Sequence, residues 1–222
     1  MAERLIVTLD GPAGVGKTTL ARRLAEELGV AYLDTGAMFR AIGFSLGEGA
    51  RDWPEEKLSA ELATMRFAIE GAGADTRLLV NGHEMGDEIR SEKVGLLASA
   101  VGTLPPVREA LKRAQREIGR ECSLVAEGRD MGTVVFPEAR VKFFLDATPE
   151  ERATRRVLQL RQMGQEADYD AILVQIKVRD AQDRNRAVAP LKPAEDAIIV
   201  DTTKLDVDQV FAELKRLVAS AA

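Results

Sequence analysis

Five short apolar runs, Leu5–Leu9, Ala31–Leu33, Leu124–Ala126, Val141–Leu145 and Ala197–Val200, punctuate the chain. None shows the strict alternation of a strand with one wet face, so each predicts a parallel strand covered on both sides. Helical periodicity follows most of them. That alternation predicts an α/β fold in which a five-stranded parallel sheet forms the middle of three layers, with ligands placed beyond the carboxyl ends of the strands.

The interval between the second and third runs is too long for a simple crossover helix, and predicts an inserted lobe over residues 37–105. Within it, "MRFAIEG" and "TRLLVNG" are strand-like, and Asn81-Gly82 is a tight-turn signal. His83, the only histidine, follows that turn and is expected to serve the turn or the surface. "LPPVREALKRAQREIG" then predicts a helix, with Pro106 in the first turn, where its missing N–H costs little. Further on, Gly164 divides two helical patterns, which points to a mobile arm within residues 152–187. All of this fits a single domain over residues 1–222.

The first run leads into "LDGPAGVGKTTLARRL", where Gly11, Gly14, Gly16, Lys17 and Thr18 complete the pattern G-x-x-x-x-G-K-[ST] between a strand and a helix. Such glycines let successive N–H groups turn inward on an anion, and the helix that follows aims its positive end at the same point. The segment Gly11-Pro12-Ala13-Gly14-Val15-Gly16-Lys17-Thr18-Thr19 is therefore expected to hold the phosphates of ATP. Lys17 would reach the β- and γ-phosphates. Spacing favours the Thr18 hydroxyl as the Mg²⁺ ligand, with Thr19 the alternative.

The same loop serves GTPase switches, but the D-x-x-G segment and the N-K-x-D clamp that those require are absent from the chain. A kinase, whose second substrate needs its own binding residues, is favoured over a regulatory ATPase. Arginines at the expected ligand edge supply such residues: Arg40, Arg129, Arg179, Arg184 and Arg186. Two anionic substrates repel each other, and guanidinium forks can hold phosphate oxygens in pairs while neutralising charge that moves in the transition state. Arg129 stands out, because it sits between Gly128 and Asp130 at the end of a buried strand. Asp34 ends another strand and can either orient metal-bound water or cap the helix after it.

Composition narrows the picture further. A formal net charge of −5 argues against a surface devoted to nucleic acid, so any basic site must be local. No long uncharged apolar stretch occurs and the first residues carry charges, so neither a membrane span nor a signal peptide is expected. A lone cysteine, Cys122, excludes an internal disulfide and is expected to be an inert core thiol. A cytoplasmic monomer acting on small molecules is the expectation.

Taken together, the phosphate loop and the segments "LDTGAMFRA", "VNGHEMGDEIRSEKVG", "LPPVREAL", "EGRDMGTVVFP", "VKFFLDATPEERA" and "RDAQDRNRAVAPL" resemble, in family order and over nearly the full chain, the bacterial cytidylate kinases of the nucleoside monophosphate kinase group. The resemblance implies transfer of the ATP γ-phosphoryl group to CMP or dCMP in pyrimidine nucleotide metabolism, with Mg²⁺. It also implies that residues 37–105 form the enlarged nucleotide-binding insert of these enzymes. By the same resemblance Arg40, Arg129 and Arg186 bind the acceptor phosphate, with Thr35 nearby. Ser99 and Arg108 contact the cytosine ring, Asp130 lies beside its amino group, and Arg179 and Asp183 lie at the sugar. Arg152, Arg155 and Arg156 begin the lid that closes over ATP, and Lys17, Arg129, Arg155 and Arg186 form the catalytic set. One position departs from the family pattern: Phe39 stands where a tyrosine is usual, so a ring face remains for the nucleotide but the phenolic hydroxyl does not.

Overall fold

A computed structural model describes residues 4–221. In chain order its strands are β1 (Ile6–Asp10), β2 (Ala31–Asp34), β3 (Phe67–Glu70), β4 (Arg77–Val80), β5 (His83–Glu84), β6 (Leu124–Gly128), β7 (Val141–Asp146) and β8 (Ile198–Asp201). Its α-helices are α1 (Lys17–Leu28), α2 (Thr35–Leu46), α3 (Glu55–Thr64), α4 (Glu92–Val101), α5 (Pro105–Glu121), α6 (Pro149–Gln162), α7 (Tyr169–Asn185) and α8 (Val207–Ala221). The five expected parallel strands form one sheet in the order β2-β6-β1-β7-β8. Each ends a residue or two beyond the apolar run that predicts it. In β6 every residue is buried, and in β7 all but the last. Since neighbouring residues point to opposite faces, these strands are covered on both sides, which is why their sequences do not alternate. β8 is one of the two edge strands and leaves Ile199 exposed.

The chain divides into two compact units. The first holds Ala25–Glu127 together with residues 4–6. Here β2 pairs in parallel with β6, from Ala31 opposite Leu124 to Asp34 opposite Glu127. A separate antiparallel sheet, β3-β4-β5, fills part of the inserted segment. Its hairpin turns at Asn81 and Gly82, with φ of 52° and 79°, the pair of positive values that a two-residue primed turn needs. α5 starts with Pro105 and Pro106 in its first turn, as its sequence predicts. Cys122 caps the far end of this helix and is only half-buried, because a cap position lies at the rim rather than in the core. Burial raises its thiol pKa, in keeping with an unreactive sulfur.

The second unit holds Val7–Leu24 and residues 128–221. β1 pairs with β7 from Val7 opposite Val141 to Asp10 opposite Phe144, and β7 with β8 from Phe143 opposite Ile198. α6 and α7 are joined by a loop containing Gly164, at φ 73°. Among the described residues no helix is long and apolar enough to cross a membrane.

Candidate active site

β1 delivers the chain into the glycine loop in the second unit, and α1 starts at the loop's own lysine. Gly11, Gly14 and Gly16 sit at φ of 150°, 83° and 87°, which other residues rarely adopt, so the cradle depends on their lacking a Cβ. Lys17 is 7% exposed, and its ammonium donates to the carbonyl of Pro12 at 2.7 Å, folded against its own loop. Thr18 and Thr19 are both exposed in the first turn of α1. Among the described residues no three acidic, histidine or cysteine side chains cluster to hold a metal. The exposed hydroxyls of Thr18 and Thr19 are oxygen donors of the kind a hard cation takes.

Asp10, immediately before the loop, is buried, and no sequence signal singles it out. Its two carboxylate oxygens accept from the N–H groups of Met131 at 2.9 Å and Gly132 at 2.8 Å. Burial raises its pKa to about 6 against the lowering effect of those two N–H groups, with Asp130 raising it further and Lys17 opposing. Asp10 thereby fixes the turn that follows β6, where Arg129 and Asp130 project. A π-helical turn over Met131–Val135 comes next.

Arg129 Nε donates to Asp183 at 2.8 Å, with each side chain about 19% exposed. Arg186 lies 3.5 Å from Asp130. Its Nε also donates to the Ala189 carbonyl, which anchors the guanidinium just past the end of α7. Arg179 is exposed on α7, one helical turn before Asp183 and on the same face. The second unit thus joins the expected residues Arg129, Asp130, Asp183 and Arg186 through two ion pairs.

Five further expected acceptor residues stand in the first unit. Thr35, Phe39 and Arg40 share α2, with Thr35 and Phe39 one turn apart. The Thr35 hydroxyl donates to the carbonyl of Glu127 at 2.7 Å, and Arg40 donates to the carbonyls of Ile89 and Ser91, each at 3.0 Å. Arg108 on α5 places its guanidinium 5.6 Å from the Phe39 ring centre, within cation–π range. Ser99 is exposed on α4. Asp34 is the N-cap of α2, accepting from the Ala37 N–H at 2.9 Å, which is the capping alternative of its two sequence readings. His83 is exposed on β5 just after the hairpin turn.

On α6, Arg155 donates to the Thr202 carbonyl at 2.6 Å and the Thr202 hydroxyl at 3.2 Å, while Arg156 bonds Gln159 at 2.8 Å. Arg152 differs from both, because it is 1% exposed and paired with Asp180. Asp180, like Asp10, has no sequence signal of its own. Nor has the buried pair in which the Tyr32 hydroxyl donates to Glu127. In each case the partner lies far off along the chain, and only folding brings the two together.

Comparison with known proteins decides the family. A family model described as cytidylate kinase matches residues 7–220. The chain belongs to the cytidylate kinase family. It is 64% identical to the cytidylate kinase of Oleidesulfovibrio alaskensis over 96% of this chain and 98% of that one. It is 57% identical to the cytidylate kinase of Nitratidesulfovibrio vulgaris over 97% of this chain and 93% of that one. Among solved structures, an uncharacterized protein from Eubacterium ventriosum aligns with a TM-score of 0.55 at 14% identity, covering 98% of this chain and 99% of that one, a likeness of fold alone. Family membership accords with the phosphate loop and with the arginines that the two units present.

Proposed function

We propose that this cytidylate kinase family member transfers the γ-phosphoryl group of ATP to CMP or dCMP, giving ADP with CDP or dCDP. The observation that carries the reading is the turn after β6, where Arg129 and Asp130 are held by ion pairs to Asp183 and Arg186 beside the end of α7. The arginines meet the acceptor phosphate. Asp130 accepts a hydrogen bond from the 4-amino group of cytosine, whereas uracil would turn a carbonyl oxygen toward it and set two acceptors face to face.

In the transfer an oxygen of the acceptor phosphate forms a bond to the γ-phosphorus while the bond from that phosphorus to the β–γ bridging oxygen breaks. The attacking oxygen is already ionised near neutral pH, so no strong base is needed and positioning carries the rate. Lys17 and the loop N–H groups hold the donor, and Arg129, Arg186 and Arg40 the acceptor phosphate. Thr35 stands near that phosphate, Phe39, Ser99 and Arg108 serve the base, and Arg179 and Asp183 the sugar. The Thr18 hydroxyl would hold the Mg²⁺ that enters with ATP, which would supply charge neutralisation. Residues 37–105 are the acceptor lobe and 152–187 the lid. The enzyme works as a cytoplasmic monomer on these small molecules.

The test is ADP formation from Mg-ATP with CMP, dCMP, UMP and AMP in parallel, with Arg129→Ala and Asp130→Asn alongside. Fast turnover with the cytidylates, slow turnover with UMP, and losses of about a hundredfold in Arg129→Ala are expected. Equal turnover with UMP and CMP would overturn the role of Asp130. Absence of acceptor-dependent turnover would overturn the kinase reading.

A further inference from the structure

Arg152 lies where the sequence places the start of a nucleotide-covering lid, yet its side chain is used up inside the protein. Nε donates to the Ala147 carbonyl at 3.0 Å, Nη1 to the Ala13 carbonyl at 3.0 Å and to Asp180 Oδ1 at 3.0 Å, and Nη2 to Asp180 Oδ2. Four of the five guanidinium N–H groups are thereby satisfied by protein, and at 1% exposure the residue offers no open donor to a phosphate. Ala13 stands in the middle of the glycine loop. A Cβ added at Gly14 would lie 3.4 Å from Arg152 Cβ and 3.7 Å from its Cγ, so the loop rests directly on the arginine's stem. Asp180, itself 9% exposed, belongs to α7.

We propose that Arg152 and Asp180 are positioning residues for the donor: the pair holds the Ala13 carbonyl turned away from the phosphates, so that the loop's N–H groups face them. The physical reason is directional. A peptide unit that directs its carbonyl to the guanidinium directs its N–H the opposite way, and a planar fork locked by a bidentate carboxylate has little freedom to release it. Lysine at position 152 would keep the charge but could not reach Ala13, Ala147 and both Asp180 oxygens together.

This inference rests on Gly11–Thr19 being the donor loop, and the experiment separates the two. Steady-state kinetics and melting temperatures are measured for Arg152→Met/Asp180→Leu, Arg152→Lys, Asp180→Asn and the control Lys17→Ala. The double variant replaces a buried ion pair by apolar groups, an exchange that proteins often tolerate, and should melt within a few degrees of the parent. Its Michaelis constant for ATP should nevertheless rise about tenfold, the scale of a lost charged hydrogen bond, while that for CMP stays within about twofold. Arg152→Lys should show the same split. A parental ATP constant in the double variant overturns the proposal. Should the double variant not fold, an unchanged ATP constant in Asp180→Asn, which keeps shape and loses charge, overturns it instead. If Lys17→Ala also turns over ATP normally, the donor-loop reading fails as well.

Discussion

Asp10 shows how one side chain can set the pH response of this protein. Its carboxyl lies near the ordinary 3.8 when unfolded and at about 6 when folded, because burial disfavours the charge more than the Met131 and Gly132 N–H groups support it. Between those values the folded protein keeps the proton and the unfolded chain has released it. Stability therefore falls as pH rises through this window; below it the term is constant, and above it the full cost stands. The gap corresponds to on the order of 3 kcal/mol. Asp10→Asn removes the titration and weakens the grip on one of the two N–H groups. Urea unfolding at pH 4.5 and pH 7.5 should show the parent losing stability relative to Asp10→Asn over that interval. Parallel behaviour of the two proteins would sink the idea.

At the scale of elements, the packing of α2 on α4 holds together two parts of the proposed acceptor side. Gly43 is the point of closest approach: an added Cβ would lie 2.7 Å from the Ala98 nitrogen and 3.0 Å from the Leu97 carbonyl carbon. These are backbone atoms in a helix, which cannot step aside singly, so Gly43→Ala must push the helices apart. A cost of about 1–3 kcal/mol is expected, as for other overpacked contacts. Because α2 carries Thr35, Phe39 and Arg40 and α4 carries Ser99, the Michaelis constant for CMP should rise several-fold. That for ATP should stay near its parental value, since the glycine loop belongs to the other unit. Equal changes in both constants would show that the helix pair does not shape the acceptor site. The parallel strands, the hairpin turn and the phosphate loop were all legible because each is written in adjacent residues: an apolar run, an Asn-Gly pair, a spaced set of glycines. α4 and the two-residue strand β5 were not. Their identity comes from partners, Gly43 against Ala98 and His83 against Val80, which no local pattern announces. The same holds for Asp10 and Asp180, one ordinary charged residue each, and for the buried pairing of Arg152, a residue that the sequence places at the start of a lid.

Across the whole molecule, the helix pair α6 and α7 stands out as a segment with open apolar side chains. Leu158, Met163, Val174 and Val178 are 54%, 63%, 60% and 51% exposed along these helices and the loop between them. By contrast the roots of these helices are fastened, α6 through Arg152 and Arg155 and α7 through Asp180 and Asp183. Fastened roots with an open outer part, joined by the loop at Gly164, form the arrangement from which a lid can swing while its arginines stay in register. A kinase has reason to use one, because water reaching a charged γ-phosphate competes with the acceptor, and closing over the donor removes it. Hydrogen exchange followed with CMP and a nonhydrolysable ATP analogue should therefore slow across residues 155–186, most in the segment around Gly164, and return to its free rate when the ligands are removed. Identical exchange with and without ligands would mean that the helices are already in their working position and that water is excluded by the fixed ion pairs alone.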